Sequence, residues 1–443
     1  MNPTASRTWT QRTAAMVLTG LLVGLSANVP AAQAIPPPSV DPGRVPADGK
    51  PGPDQPMRQS NVCARTITVA EPNVAVTAPG FTMLNIGKAW QYSTGNGVPV
   101  AVIDTGVNPS PRLPAVAGGD YIMGGDGLMD CDAHGTIVAS VIAAAPQGIP
   151  MPAPMPAVPA FPPPAGPPPA FAAPPPPGAH PAGGATAAAV AGDDHRNQTG
   201  TTTTAATAGR RAVKRPGDPT PDQAEDPEVP PPPPGAPDGV VGVAPHATII
   251  AIRQSSRAYE PVNPGGGDIE ARKKAGTVAT LGSAIVHAAN MGAKVINVSV
   301  TSCVSAADPL DQSGIGAAVW YAATAKDAVI VAAAGNEGED ECAQNPSFDP
   351  LDPSDPRDWH QVKTVSSPSW FSDYVLSVGA VDNTGAPISK SLSGPWVAAA
   401  AQVWELWGCP ANRGPANAYP PIRRVKRTCR SGAPVFRRPT SVE

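Results

Sequence analysis

The sequence predicts an α/β fold: a mainly parallel sheet with helices on both faces. Three observations predict it. Strand-like apolar runs alternate with longer helical runs along most of the chain. The strand-like runs are continuous in Val, Ile and Ala, as in strands buried on both faces. The first of them ends in a carboxylate beside a glycine turn, and in open α/β sheets sites form at that end of the strands.

The elements follow in chain order. Arg7 and Arg12 precede an apolar run from Ala14 to about Val29, and Ala32-Gln33-Ala34 comes next. A basic start, a short apolar centre and small residues before a break are the order of a secretory signal, so residues 1–34 are expected to be removed on export. An uncleaved membrane anchor is the alternative, but the run is short for a span. Export places the protein in the cell envelope and permits disulfides. Residues 35–83 form an N-terminal extension, and the Pro, Gly and Asp of 35–60 point to an extended arm.

Residues 84–400 read as one folded domain. Gly97–Ile103 is a buried strand, with Val98, Val100, Val102 and Ile103, and Gly135–Ala145 is a small-residue helix able to pack closely on a sheet. Further on, Ala247–Ile252, Lys294–Val300, Ala328–Ala333 and Val375–Ala380 read as strands. Val278–Met291 and Gly314–Lys326 read as helices.

Residues 146–238 interrupt this pattern. They hold 27 of the 60 prolines in the chain. So little apolar surface does not offset the entropy of ordering, and a disordered insertion, partly polyproline II, is expected. Its basic patch, Arg210, Arg211, Lys214 and Arg215, reads as solvated charge or as an exposed dibasic protease site.

Composition excludes some functions. The formal net charge is −4 over 443 residues, but residues 421–443 carry seven Lys/Arg and one acid, leaving 24 basic and 34 acidic residues elsewhere. An acidic body argues against a nucleic-acid partner. A single apolar stretch of near-spanning length argues against a multi-pass membrane protein. The six cysteines, Cys63, Cys131, Cys303, Cys342, Cys409 and Cys429, form no CxxC pair, which argues against zinc, and they allow 15 pairings among which the sequence does not choose. No metal-ligand cluster is seen, and no cofactor is expected.

Three segments carry chemistry. Val102-Ile103-Asp104-Thr105-Gly106-Val107 sets a carboxylate at a strand end. Asp132-Ala133-His134-Gly135-Thr136 sets an imidazole at a helix start. Ala332-Ala333-Ala334-Gly335-Asn336-Glu337-Gly338 leaves a strand through a glycine turn and presents an amide. Singly, each has a plainer reading as a turn. Together, in this order, they fit an Asp…His…Ser chain order.

On these motifs the chain resembles the subtilisin-like serine proteases, and more narrowly the mycosins, membrane-anchored proteases associated with type VII secretion. The resemblance covers roughly residues 35–400. It implies that Asp104 orients His134, that His134 is general base and then general acid, and that Asn336 donates to the oxyanion. It also implies that Ser299, Val300 and Thr301, with Ala333 and Gly335, bind an extended peptide or protein substrate as an added strand. The disulfide pairs it implies are Cys63–Cys131 and Cys303–Cys342. The implied partner is the type VII secretion membrane complex.

The third triad member is missing. The family pattern asks for Gly-Thr-Ser opening a buried helix some tens of residues after Pro395-Trp396-Val397, and no Gly-Thr-Ser occurs in the chain. Read one base earlier, however, the codons of Ser431 through Thr440 are compatible with Trp-Gly-Thr-Ser-Phe-Ser-Ala-Ala-Tyr. The serine codon would straddle Pro434 and Val435. The same shift over Ala401–Cys409 permits Pro-Gly-x-Gly-x-x-Gly-Leu-Ser, while Gly414–Pro421 looks family-like as written. The expectation is a frameshifted, prematurely ended chain with an out-of-frame tail at 401–443. It would be catalytically inactive, with Cys409 and Cys429 accidental, no C-terminal membrane anchor, and one sheet face left uncovered. A divergent basic tail is the alternative. A non-catalytic structural component of the secretion complex is the second functional reading.

Overall fold

The computed structural model describes residues 35, 37–64, 68, 73–148, 150–154, 230, 233, 235–263, 269–338, 342–346 and 361–402. Residues 1–34, read above as an export signal, most of the expected insertion and the tail from 403 lie outside the described residues. The folded unit is built from chain on both sides of residues 158–225.

Eleven strands are described: β1 (Met57–Gln59), β2 (Pro99–Asp104), β3 (Ala115–Asp120), β4 (Thr248–Arg253), β5 (Tyr259–Pro261), β6 (Val295–Val298), β7 (Ser302–Ser305), β8 (Val329–Ala333), β9 (Thr364–Ser367), β10 (Val375–Val381) and β11 (Val397–Gln402). The helices are α1 (Pro79–Met83), α2 (Ile86–Ala89), α3 (His134–Ala143), α4 (Ile269–Asn290) and α5 (Ser313–Trp320), the last running on into a π-helical turn, Tyr321–Ala325. Seven strands make one sheet in the order β11-β10-β8-β6-β2-β4-β3, and every pairing in it is parallel. The chain builds first to one side of β2 and then to the other. The order therefore reverses at β2, and the carboxyl ends of β2 and β6 flank the crevice where such sheets place their sites.

The side-chain period of two sorts β2 between two cores. Ala101 and Ile103 face α4 and α5, packing with Leu281, Ile285, Ile315 and Val319. Val100 and Val102 face α3, packing with Ala139 and Ala143. The expected layering holds at the centre of the sheet. Towards β11 it is one-sided: Val329 is 57% exposed, Leu376 is 43% exposed, and Ala398, Ala399 and Ala400 of β11 are exposed. Among the described residues, the face opposite α5 is uncovered there.

Several boundaries differ from expectation. β6 stops at Val298, two residues before Val300, because the chain leaves the sheet towards β7. Helix α4 starts at Ile269 rather than Val278, since its first turns are charged and lack an apolar stripe. Strand β3 has two glycines and a register shift against β4, so it lacks the apolar run that marks the other strands. The short antiparallel ribbons β1–β5 and β7–β9 are too brief to show a period.

The N-terminal arm is mostly without regular structure, and side chains fasten it. Val40 and Val45 pack on the core of α4 and α5, and Asp41 caps a 3₁₀ turn, Pro42–Arg44. Asp48 accepts from Asn290 Nδ2 at 2.8 Å and meets His287 Nδ1 at 2.7 Å. Among the described residues two disulfides are formed, Cys63–Cys131 and Cys303–Cys342. The first joins the arm to the segment just before α3. No helix among the described residues is long and apolar enough to cross a membrane.

Candidate active site

Asp104 closes β2 with its side chain buried. Its Oδ1 accepts the Thr105 backbone N–H at 2.7 Å and lies 2.7 Å from His134 Nδ1. An ionised carboxylate only accepts, so Nδ1 carries the proton and Nε2 is left as the basic nitrogen. The His134 side chain is 17% exposed, enough to reach a substrate. Burial pushes its pKa down, but the charge and hydrogen bond of Asp104, with Asp130 behind, outweigh burial and hold it above the usual histidine value.

Two glycines make this contact possible. A β-carbon on Gly135 would lie 2.1 Å from the Gly106 carbonyl oxygen and 3.1 Å from Oδ1 of Asp104. Gly106 itself has φ +102°, which disfavours any side chain. Helix α3 begins at His134, after Ala133 in the left-handed region at φ 63°.

Asp130 was not singled out by the sequence, yet it is the most heavily bonded carboxylate of the site. Oδ1 accepts from Thr105 Oγ1, Ala133 N and Asp132 N, and Oδ2 accepts from Thr136 N and Oγ1. Burial nevertheless pushes it up to about 7. Its signal in the sequence was faint: an acid four residues before a histidine.

Asn336 follows β8 directly after Gly335, which has φ +107°. It is exposed and bridges to Ser391. β8 lies two strands from β2 in the sheet, about 10 Å away, and Asn336 follows its carboxyl end on the same side of the sheet as Asp104 at the end of β2. No group of His, Cys, Asp and Glu able to hold a metal exists among the described residues.

The Subtilase family profile matches residues 234–412. Mycosin-2 of Mycobacterium tuberculosis is 71% identical over 406 residues, which cover 91% of this chain and 73% of that protein. The chain belongs to the mycosins. Mycosin-5 of the same organism is 50% identical, covering 94% of this chain and 76% of that protein. Among solved structures, the crystal structure of MycP1 from the ESX-1 type VII secretion system matches with a TM-score of 0.64 at 35% identity, over 87% of this chain and 78% of that one. A chain of the intact ESX-5 inner membrane complex matches with a TM-score of 0.65 at 43% identity, over 88% of this chain and 73% of that one.

In this mycosin, Ser299, Val300 and Thr301 form the link between β6 and β7, half-buried and outside any described strand. Asn297 Nδ2 donates to Ser299 Oγ at 2.7 Å. Two other expected substrate-binding residues use their carbonyls within the chain: Ala333 O accepts from Ser369 Oγ at 2.6 Å, and Gly335 O accepts from Leu392 N at 2.9 Å. Asp104 and His134 thus meet directly. Asn336, Gly335 and Ala333 sit on the same sheet edge, and no Gly-Thr-Ser exists in the 443 residues to complete a triad. The positions Ser431–Thr440, where a shifted frame admits one, lie outside the described residues.

Proposed function

We propose that this chain carries the machinery of an exported, mycosin-type serine endopeptidase that works at a type VII secretion membrane complex, and that as written it is catalytically silent. The observation that carries the reading is the 2.7 Å contact of Asp104 Oδ1 with His134 Nδ1 at the carboxyl end of the central strand. In this reading Asp104 fixes the imidazole tautomer, and His134 Nε2 takes the proton of a serine nucleophile and returns it to the leaving amine. Asn336 donates to the oxyanion, a role whose loss costs about 10²–10³ in kcat. Residues Ser299–Thr301 pair with an extended peptide, with Ala333 and Gly335 lining the opposite wall. Without a nucleophile the pair has nothing to activate. A frameshift over 401–443 accounts for the missing serine, and residues 1–34 act as the export signal.

The test is to express the gene with the shifted frame restored at Ser431–Thr440. A fluorophosphonate probe is expected to label the restored serine, and His134→Ala is expected to abolish labelling. Failure of the restored chain to label, when folded, overturns the peptidase reading.

A second reading, a non-catalytic component of the secretion complex, draws on one observation. Matched solved chains belong to the periplasmic assembly of the ESX-5 inner membrane complex. Co-purification of the unaltered chain with that complex favours this reading, and its absence from the complex counts against it.

A further inference from the structure

The geometry points to Asp130 as a positioning residue that locks the two segments bearing Asp104 and His134 into one bracket. This rests on reading Asp104 and His134 as the acid–base pair. Thr105, the neighbour of Asp104, donates its hydroxyl to Asp130 Oδ1 at 2.8 Å and accepts the N–H of Gly135, the neighbour of His134, at 2.9 Å. The same Oδ1 takes the N–H of Ala133 at 2.8 Å, holding the residue before His134 in its left-handed conformation. Non-glycine residues occupy that region at a cost and persist there only where their surroundings fix them.

The other carboxylate oxygen extends the bracket. Oδ2 takes Thr136 N at 2.8 Å and Thr136 Oγ1 at 2.6 Å. Thr136 Oγ1 in turn accepts Asn108 N at 3.0 Å. Asn108 closes the loop with a reciprocal pair: its Nδ2 donates to Asp130 O at 2.8 Å, and its Oδ1 accepts Asp130 N at 3.0 Å. An ordinary capping aspartate satisfies helix N–H groups alone. Asp130 holds the first turn of α3 and also, through Thr105, the strand end that carries the other partner. Both residues of the pair are therefore fastened one bond away to the same carboxylate. Such support matters because small misplacement of reacting groups is costly.

The readout is the His134 imidazole itself, followed by NMR of the ¹⁵N-histidine-labelled chain. The unaltered chain is expected to show a strongly downfield Nδ1 proton and a raised His134 titration. Asp130→Asn is expected to lose the downfield proton and lower the titration while circular dichroism stays unchanged. Thr105→Val removes no charge, is expected to lose the same proton signal, and so reports position alone. Thr105→Ser restores the hydroxyl and is expected to recover it. If Asp130→Asn does not fold, the two Thr105 variants decide. An unchanged His134 signal in Thr105→Val overturns the proposal. These spectra do not depend on a nucleophile, so they stand apart from the labelling test of the peptidase reading.

Discussion

Gly135 and Gly106 approach so closely that a β-carbon on the first would lie 2.1 Å from the carbonyl oxygen of the second. That approach brings the helix bearing His134 onto the strand end bearing Asp104, and every consequence for the pair depends on it. Gly135→Ala is expected to force the two segments apart. Overpacking of this kind costs about 1–3 kcal/mol. Urea denaturation should show that loss, and the downfield Nδ1 proton of His134 should disappear with it.

Acidity gives a second test. Asp130 titrates near 7 in the folded chain against 3.8 as its ordinary value, because burial disfavours its charge. The folded state therefore keeps a proton that the unfolded chain gives up. The stability tied to that proton is present below about pH 4 and is lost as pH rises towards 7, an effect on the order of 3–5 kcal/mol. His134, also raised, acts with the same sign: its contribution is present below the usual histidine range and is lost above it. Asp130→Asn should flatten the lower part of this dependence, which denaturation midpoints measured from pH 4 to 8 will show.

Disulfide removal should rank by loop length. Cys63–Cys131 spans 68 residues and Cys303–Cys342 spans 39. Loss of either is expected to cost about 2–5 kcal/mol, the longer loop by about 0.5 kcal/mol more on chain-entropy grounds. Double serine variants of each pair, compared by thermal unfolding, check the order. Loss of Cys63–Cys131 also frees the arm next to His134, where Ala64 N donates to Cys131 O at 2.7 Å. Protease sensitivity at residues 57–64 should therefore rise in that variant alone.

Arg253 is fully buried at the end of β4, 3.3 Å from Asp120 and stacked 4.4 Å from the Tyr259 ring. Arg253→Met leaves Asp120 buried without its cation and is expected to cost about 3–5 kcal/mol. Asp120→Asn added to Arg253→Met should recover much of that loss. The double-mutant cycle, read by urea denaturation, checks the coupling.

The parallel sheet was legible because β2, β4 and β8 are apolar runs and β6 and β10 are rich in Val, Leu and Ile, as in strands of a parallel sheet. β3 was not legible, because glycines at 118 and 119 replace the apolar signal; a β-carbon on Gly118 would meet the Ala251 carbonyl oxygen, and one on Gly119 the Pro51 ring. The placing of Asp104 at a strand end, His134 at a helix start and Asn336 just past a strand was legible from their motifs. Asp130 was hidden because one of its five donors, Thr105 Oγ1, comes from 25 residues away and ties it to the strand end of Asp104, a link that local spacing does not record.

We propose that the Asp104–His134 pair stands in this chain without a nucleophile. Intact-mass spectrometry of the purified, folded chain after incubation with a fluorophosphonate tests it most directly. An unchanged mass is expected, with no serine modified. A stoichiometric adduct on any serine, lost in His134→Ala, would contradict it and reveal a replacement nucleophile.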